Sequence, residues 1–145
     1  MKYKTENELR VVVESFENGT ISRSDWNHAE HLIVANFYLS KKDFDAAYKK
    51  MRDGIFNLLK AFEVDLKKEM PYHETLTIFW LRAIEDFRKT KNGYSEFEIC
   101  IELITHFDKD YPLKFYSREL LFSDDAREKF VDADLKEKTS ADLIK

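Results

Sequence analysis

Three of the four histidines in the chain lie where helical spacing turns them toward apolar side chains. His28 and His31 are three residues apart, so on an α-helix they share one face. His73 aligns in the same way with Leu76 and Trp80 in a later apolar segment. Neutral imidazoles on rigid helices suit divalent transition metals, which often leave one position open for water or substrate. The spacing therefore predicts a metal site formed by His28, His31 and His73.

Glu74 follows His73 directly and is the predicted catalytic residue. Its carboxylate would act either as a fourth metal ligand or as the general base for metal-bound water. Asp25 lies one turn before His28 and is expected to orient that imidazole. Three histidines suit zinc, and an added carboxylate also suits iron, manganese or nickel, so the identity of the metal stays open.

Four residues are predicted to bind a small-molecule substrate: Trp80, Asn36, Tyr116 and Arg118. Trp80 would form a wall, since ligand pockets are lined mainly by aromatic and apolar side chains. Asn36 lies on an apolar stripe, where its amide needs a partner. Tyr116 and Arg118 bring a hydroxyl and a guanidinium to an irregular region. The alternative for each is structural: packing, an internal hydrogen bond, or an ion pair for Arg118.

Helices must position these residues, because the only three Gly and two Pro of the 145-residue chain fall between periodic apolar segments. Capping residues and a first-turn proline predict where the helices begin. In chain order, these signals are Thr5 with Glu8, Ser24 before a helix over Asp25 to about Leu39, Asp43, Pro71, Ser95 with Glu98, and Ser123.

These segments predict an all-α fold, an antiparallel bundle of about five helices with an irregular C-terminal segment. The whole chain, 1–145, is expected to form a single domain, with 131–145 as a loosely ordered tail. If the second and fourth helices run parallel in an up-down bundle, their starts share one end. The three histidines would then converge there.

Composition narrows the classes of partner. The net charge is −4 and no basic block stands out, so nucleic acid is not expected to bind. The apolar stretches are too short to span a bilayer, and residues 1–6 lack the apolar run of a signal peptide. Cys100 is the only cysteine, which excludes an internal disulfide. We therefore expect a cytoplasmic protein that does not associate with membranes.

Three strings together resemble a small, uncharacterised family of bacterial proteins: WNHAEHL at 26–32, YHETLT at 72–77 and YSRE at 116–119. The resemblance runs from about Phe16 to Leu135, and its specificity rests on the combined spacing of WxHxxH and YHETLT. Family members often carry a proline before the late Asp-Leu pair, where this chain has Ala133. The resemblance implies that the two histidine motifs belong to one site, but it supplies no substrate.

Two functions follow from the sequence. The first is a metal-dependent enzyme acting on a small molecule, either a hydrolase or a related transferase, or a non-haem metal oxidase. The second is a non-enzymatic helical module that binds a ligand or a partner, in which the histidines are structural. The sequence leaves the oligomeric state open.

Overall fold

The computed structural model describes residues 2–68 and 71–135, and over these residues the secondary structure is helical, without strands. The predicted all-α bundle of about five helices with an irregular C-terminal region is confirmed. No helix in the described part of the chain is both long and apolar enough to cross a bilayer. The helices are α1 (Glu6–Glu17), α2 (His28–Lys41), α3 (Phe44–Ala61), α4 (Glu74–Lys89), α5 (Glu96–His106), a 3₁₀ turn (Tyr111–Lys114), α6 (Arg118–Leu121) and α7 (Asp124–Glu128).

Helix α2 is the centre of the bundle. Four consecutive residues in it, Leu32 to Ala35, are all buried, so the helix is covered on nearly every side. A helix that is apolar all round belongs in the interior of a fold. α2 accordingly packs against α1, α3, α4 and α5.

Helices α2 and α4 begin at the same end of the bundle. His28, the first residue of α2, and His73, which precedes α4, line one pocket there. Helix α3 runs the opposite way, because residues of its second half, Ile55 and Leu59, line the same pocket. This is the up-down order of an antiparallel bundle.

Several helix starts lie where the capping signals predict. The Thr5 hydroxyl accepts a hydrogen bond from the Glu8 N–H at 3.2 Å, and the Thr5 N–H donates to the Glu8 carboxylate at 2.9 Å. Ser95 and Glu98 repeat this reciprocal pair at the start of α5. Asp43 caps α3. Each pair satisfies backbone donors that a helix end leaves free.

The predicted start of α2 is wrong. The helix begins at His28 rather than at Asp25, and Asn27 rather than Ser24 precedes it. The Asn27 N–H donates to the Glu30 carboxylate at 3.1 Å, which ties the end of the preceding loop to the first turn. The Asn-x-x-Glu spacing is the stronger capping signal, because Ser24 has no acidic residue three positions later.

The predicted start of α4 is also too early. Pro71 lies before the helix, which begins at Glu74 with His73 as its N-cap. The Nδ1 atom of His73 accepts a hydrogen bond from the Leu76 N–H at 3.1 Å. An imidazole nitrogen here accepts the capping hydrogen bond that a Ser, Thr, Asp or Asn side chain accepts at most N-caps.

The C-terminal segment is anchored over its first residues, 131–135. The Tyr116 hydroxyl donates to the Val131 carbonyl at 2.6 Å, and the Leu135 N–H donates to the Phe115 carbonyl at 3.0 Å. The predicted loose tail is therefore held to the bundle at its beginning. The remainder of that tail, 136–145, lies outside the described residues.

Candidate functional site

A pocket of about 460 Å³ lies at the end of the bundle where α2 and α4 begin. It is lined by His28, His31 and His73 and by Trp26 and Trp80. The structure thus brings the three histidines predicted from the sequence to one cavity, although two of them come from helix starts and the third precedes a helix. An apolar wall completes it, formed by Ile55, Leu59, Phe62 and Leu76.

His73 uses both nitrogens of its ring. Its Nε2 lies 2.6 Å from the Leu121 carbonyl oxygen, and Nδ1 accepts from the Leu76 N–H. A carbonyl only accepts, so Nε2 carries the proton and Nδ1 keeps its lone pair. The side chain is buried, and burial lowers its pKa, which favours this neutral form. His73 therefore holds α4 and the Leu121 segment in place.

His28 uses one nitrogen. Its Nε2–H donates to the Phe107 carbonyl at 2.8 Å, which links the start of α2 to the end of α5. Its ring lies 4.9 Å from that of Trp80, and burial lowers its pKa. Phe107, rather than the predicted Asp25, is the hydrogen-bond partner of the ring. Nδ1 of His28 is left as an acceptor.

His31 differs from both. Its imidazole forms no hydrogen bond with a described residue, and among these residues the ring contacts that of Trp26, at 5.5 Å between centroids. Burial, together with the neighbouring His28, lowers its pKa to about 4. His31 is therefore uncharged at neutral pH, and it presents one donor and one acceptor to the pocket.

The only two tryptophans of the chain both line this pocket. Trp26 is stacked on Phe16, with 4.9 Å between ring centroids. Trp80 is 5% exposed and packs among the rings of Phe107 and Tyr111. Trp80 thus lies at the predicted site. Because no tryptophan lies elsewhere, tryptophan emission reports on this pocket alone.

The hydrogen bonds of the histidines bear on the predicted metal site. Within residues 2–68 and 71–135, no group of three or more His, Cys, Asp or Glu side chains is arranged to hold a metal ion. His73 has no free nitrogen, and His28 has only Nδ1. A metal bound by all three would have to displace a backbone hydrogen bond of His73.

Glu74, the predicted catalytic residue, does not line the pocket. Its carboxylate accepts hydrogen bonds from the hydroxyls of Tyr48, at 2.6 Å, and Tyr72, at 2.5 Å. Burial and the bond to the carboxylate raise the pKa of Tyr48 to about 12. The carboxylate therefore joins α3 to the segment before α4, and it is directed at two phenols rather than at the histidines.

Three of the residues predicted to bind substrate lie elsewhere. The Asn36 side-chain oxygen accepts from Arg88 at 2.9 Å, the Tyr116 hydroxyl donates to Val131, and Arg118 is exposed at the start of α6. None of them lines the histidine pocket. Asn36 and Tyr116 form internal hydrogen bonds, which was the structural alternative for these residues. We therefore place Asn36, Tyr116 and Arg118 outside the candidate site.

Sequence reasoning missed two basic residues of the pocket. Arg23, from the loop before α2, and Lys109, from the loop after α5, both line it and are both exposed. Neither forms an ion pair with another described residue. No periodic pattern could have identified them, because loop residues have no fixed spacing relative to the helices.

Sequence reasoning also missed Glu30, a carboxylate that is only 2% exposed. Its carboxylate accepts from the Tyr3 hydroxyl at 2.5 Å and from the Lys2 ammonium at 3.1 Å, in addition to the Asn27 N–H. It fixes the residues before α1 onto α2. The Asn-x-x-Glu spacing was the available signal.

Comparison of the chain with protein-family models, curated proteins and solved structures finds no match. The resemblance to a bacterial family therefore stays a prediction. The functional interpretation rests on the geometry of the pocket.

Proposed function

We propose that the protein binds a small organic molecule in the pocket where α2 and α4 begin. The observation that carries this proposal is that the His31 ring is not hydrogen-bonded to any described residue. Its imidazole lines the pocket and has no hydrogen-bond partner among the described residues, whereas His28 and His73 are bonded to backbone carbonyls. The side chain is partly buried and still accessible from the pocket, so a ligand there, or the water it displaces, can hydrogen-bond to the imidazole.

The size and lining of the pocket support the same function. Pockets for small molecules usually have volumes of roughly 300–1,000 Å³ and combine apolar walls with a few polar groups that set orientation. This pocket of about 460 Å³ has that composition, with an apolar wall and one unpaired imidazole. The imidazole of His31, which would orient a ligand, lies on α2, and a helix holds it rigidly.

We favour binding over acid–base catalysis. A general base works best when its pKa lies near the working pH, and the pKa of His31 is about 4. Glu74 is held by two tyrosine hydroxyls. The proposal also includes a cytoplasmic location and a small-molecule partner rather than nucleic acid, in keeping with the single buried cysteine and the net charge of −4.

Ligand screening with the full chain tests this proposal. A library of acids, amides, amines and alcohols at millimolar concentration would be screened by tryptophan emission and by the NMR signals of both indole N–H groups. We expect at least one compound class to shift both indole signals. H31A should weaken its binding by about tenfold or more, since a hydrogen bond to the ligand is lost.

The matched control is H106A, which removes an exposed imidazole that is bonded to Glu102 on α5 and does not line the pocket. It should leave the affinity unchanged. The proposal fails if no compound shifts the indole signals, or if H31A and H106A bind equally well.

A divalent transition metal is the second candidate ligand. His28 and His31 lie one turn apart at the start of α2, and both line the pocket, so Nδ1 of His28 and a nitrogen of His31 supply two potential ligands. Water or a bound small molecule would complete the coordination. Zn²⁺, Fe²⁺, Mn²⁺ and Ni²⁺ should then raise the melting temperature, because binding to the folded state stabilises it. An unchanged melting temperature, or equal shifts in the wild type and H28A/H31A, would exclude this candidate.

A further inference from the structure

The electrostatic character of the pocket identifies the class of its ligand, if the pocket binds a small molecule as proposed above. Among the described residues, two side chains that line it carry a charge at neutral pH, Arg23 and Lys109, and both are basic. No described carboxylate lines it, although the protein as a whole carries a net charge of −4. Neither basic residue has an ion-pair partner among the described residues. The described side chains that line this cavity therefore carry positive charge, opposite in sign to the net charge of the protein.

The directions of two helices add partial positive charge at the same cavity. Both α2 and α4 begin at the pocket, and the N-terminal end of a helix carries a partial positive charge that favours anions. The carboxylates in the first turns of the two helices are bound elsewhere: Glu30 by Lys2, Tyr3 and the Asn27 N–H, and Glu74 by two tyrosines. Neither carboxylate lines the cavity.

Other acidic residues lie close in sequence without lining the cavity. Asp108 and Asp110 flank Lys109 and act on the charge state of His28, but the Asp108 carboxylate accepts the Asp110 N–H at 3.0 Å. Among residues 2–68 and 71–135, the groups that a ligand meets inside the pocket are thus neutral or positive.

We infer that the ligand is an organic anion, a carboxylate or phosphate group on an apolar body. The anionic group is bound by Arg23 and Lys109 and accepts a hydrogen bond from the His31 N–H. The apolar body lies against Leu59, Phe62 and Leu76. Arginine and lysine both donate to carboxylates and phosphates, and such charge-assisted hydrogen bonds are roughly twice as strong as neutral ones.

Matched pairs of probes separate the charge of the ligand from its shape. 2-Naphthoate and 2-naphthamide share one apolar body and differ in charge, as do benzoate and benzamide, and 2-naphthyl phosphate adds the phosphate case. Affinity would be measured by the NMR signals of the two indole N–H groups of the whole chain, at low salt and at 0.5 M NaCl. We expect the acids to bind at least about tenfold more tightly than the amides. Salt should reduce that difference, because it screens exposed charges.

Two double variants locate the effect. R23Q/K109Q should weaken the acids by about tenfold or more and leave the amides unchanged. K49Q/K50Q removes the same charge from exposed positions of α3 that line a different groove, and it should change neither. If R23Q/K109Q weakens the binding of the carboxylates and of the phosphate to different extents, the larger loss of affinity identifies the anion that the site prefers.

The possible failures are distinct. If the amides bind as tightly as the acids and both respond to H31A, the pocket binds small molecules but its ligand is not an anion. If K49Q/K50Q weakens the acids as much as R23Q/K109Q, the effect is one of overall charge, and the assignment to Arg23 and Lys109 is wrong. If neither acids nor amides respond to H31A, the proposed function itself fails.

Discussion

The imidazole of His73 and the carbonyl of Leu121 connect parts of the chain 48 residues apart, with 2.6 Å between Nε2 and the oxygen. The other ring nitrogen caps α4 through the Leu76 N–H. One buried side chain thus defines the start of a helix and attaches the C-terminal region to it. This makes His73 a structural residue that also lines the candidate site.

Replacing His73 should therefore reduce stability much more than replacing a surface histidine. H73A loses an N-cap and a buried hydrogen bond, each contributing about 1 kcal/mol, so we expect a loss of about 2–3 kcal/mol in the free energy of unfolding. H73N keeps an oxygen that can cap the helix and should recover about 1 kcal/mol of this loss. Urea denaturation at pH 7 measures both. A loss for H73A no larger than that for H106A would contradict the assignment.

Stability should depend on pH through the pocket histidines. Burial lowers the pKa of His28, His31 and His73 below the usual value of 6.5, to about 4 for His31. Between these values the unfolded chain binds more protons than the folded one, so stability falls as the pH falls. The loss begins just above pH 6.5 and continues as the pH falls toward 4. His31 alone accounts for about 2 kcal/mol between pH 7 and pH 5.

Urea denaturation at half-unit intervals from pH 8 to pH 4.5 measures this slope. H31Q lacks the titrating group, so its stability should decline less steeply over the same range, whatever its stability at pH 7. Parallel curves for H31Q and the wild type would show that His31 is not held neutral by burial.

Gly54 should resist substitution although it lies within α3. A Cβ atom there would overlap Cε2 and Cζ of the Phe16 ring, which is 1% exposed and stacked on Trp26. G54A would improve helix propensity by about 1 kcal/mol, but overpacking a core costs about 1–3 kcal/mol. We expect a net loss of about 1 kcal/mol. N57A, at an exposed position of the same helix, is the control and should be neutral or slightly stabilising. Stabilisation by both variants would mean that Phe16 moves freely.

Two buried tyrosines should respond in opposite directions to removal of the hydroxyl. The Tyr111 hydroxyl is buried and has no hydrogen-bond partner among the described residues, whereas the Tyr116 hydroxyl donates to the Val131 carbonyl at 2.6 Å. An unpaired buried hydroxyl is unfavourable, and a paired one contributes about 1 kcal/mol. Y111F should therefore stabilise the protein by up to about 1 kcal/mol, and Y116F should destabilise it by about 1 kcal/mol. Thermal denaturation distinguishes them, and destabilisation by Y111F would indicate an ordered water at that hydroxyl.

Local chemistry made several elements predictable from the sequence. The reciprocal pairs Thr5–Glu8 and Ser95–Glu98 act within one turn, so their spacing alone locates two helix starts. Apolar periodicity likewise predicted that His28 and His31 face inward on α2, whereas His73, predicted on a face of α4, precedes that helix as its N-cap. Together with an up-down order of helices, this periodicity predicted that the three histidines lie at one end of the bundle.

Only the tertiary structure decided what each histidine does. The partners of His73 and His28 are the carbonyls of Leu121 and Phe107, which lie 48 and 79 residues away. A backbone carbonyl is present at every residue, so no sequence pattern indicates which one an imidazole will meet. The same holds for Arg23 and Lys109, whose loops are brought to the pocket by the packing of helices elsewhere. Sequence periodicity determined the faces of the helices, and long-range packing determined which ring nitrogens were left for a ligand.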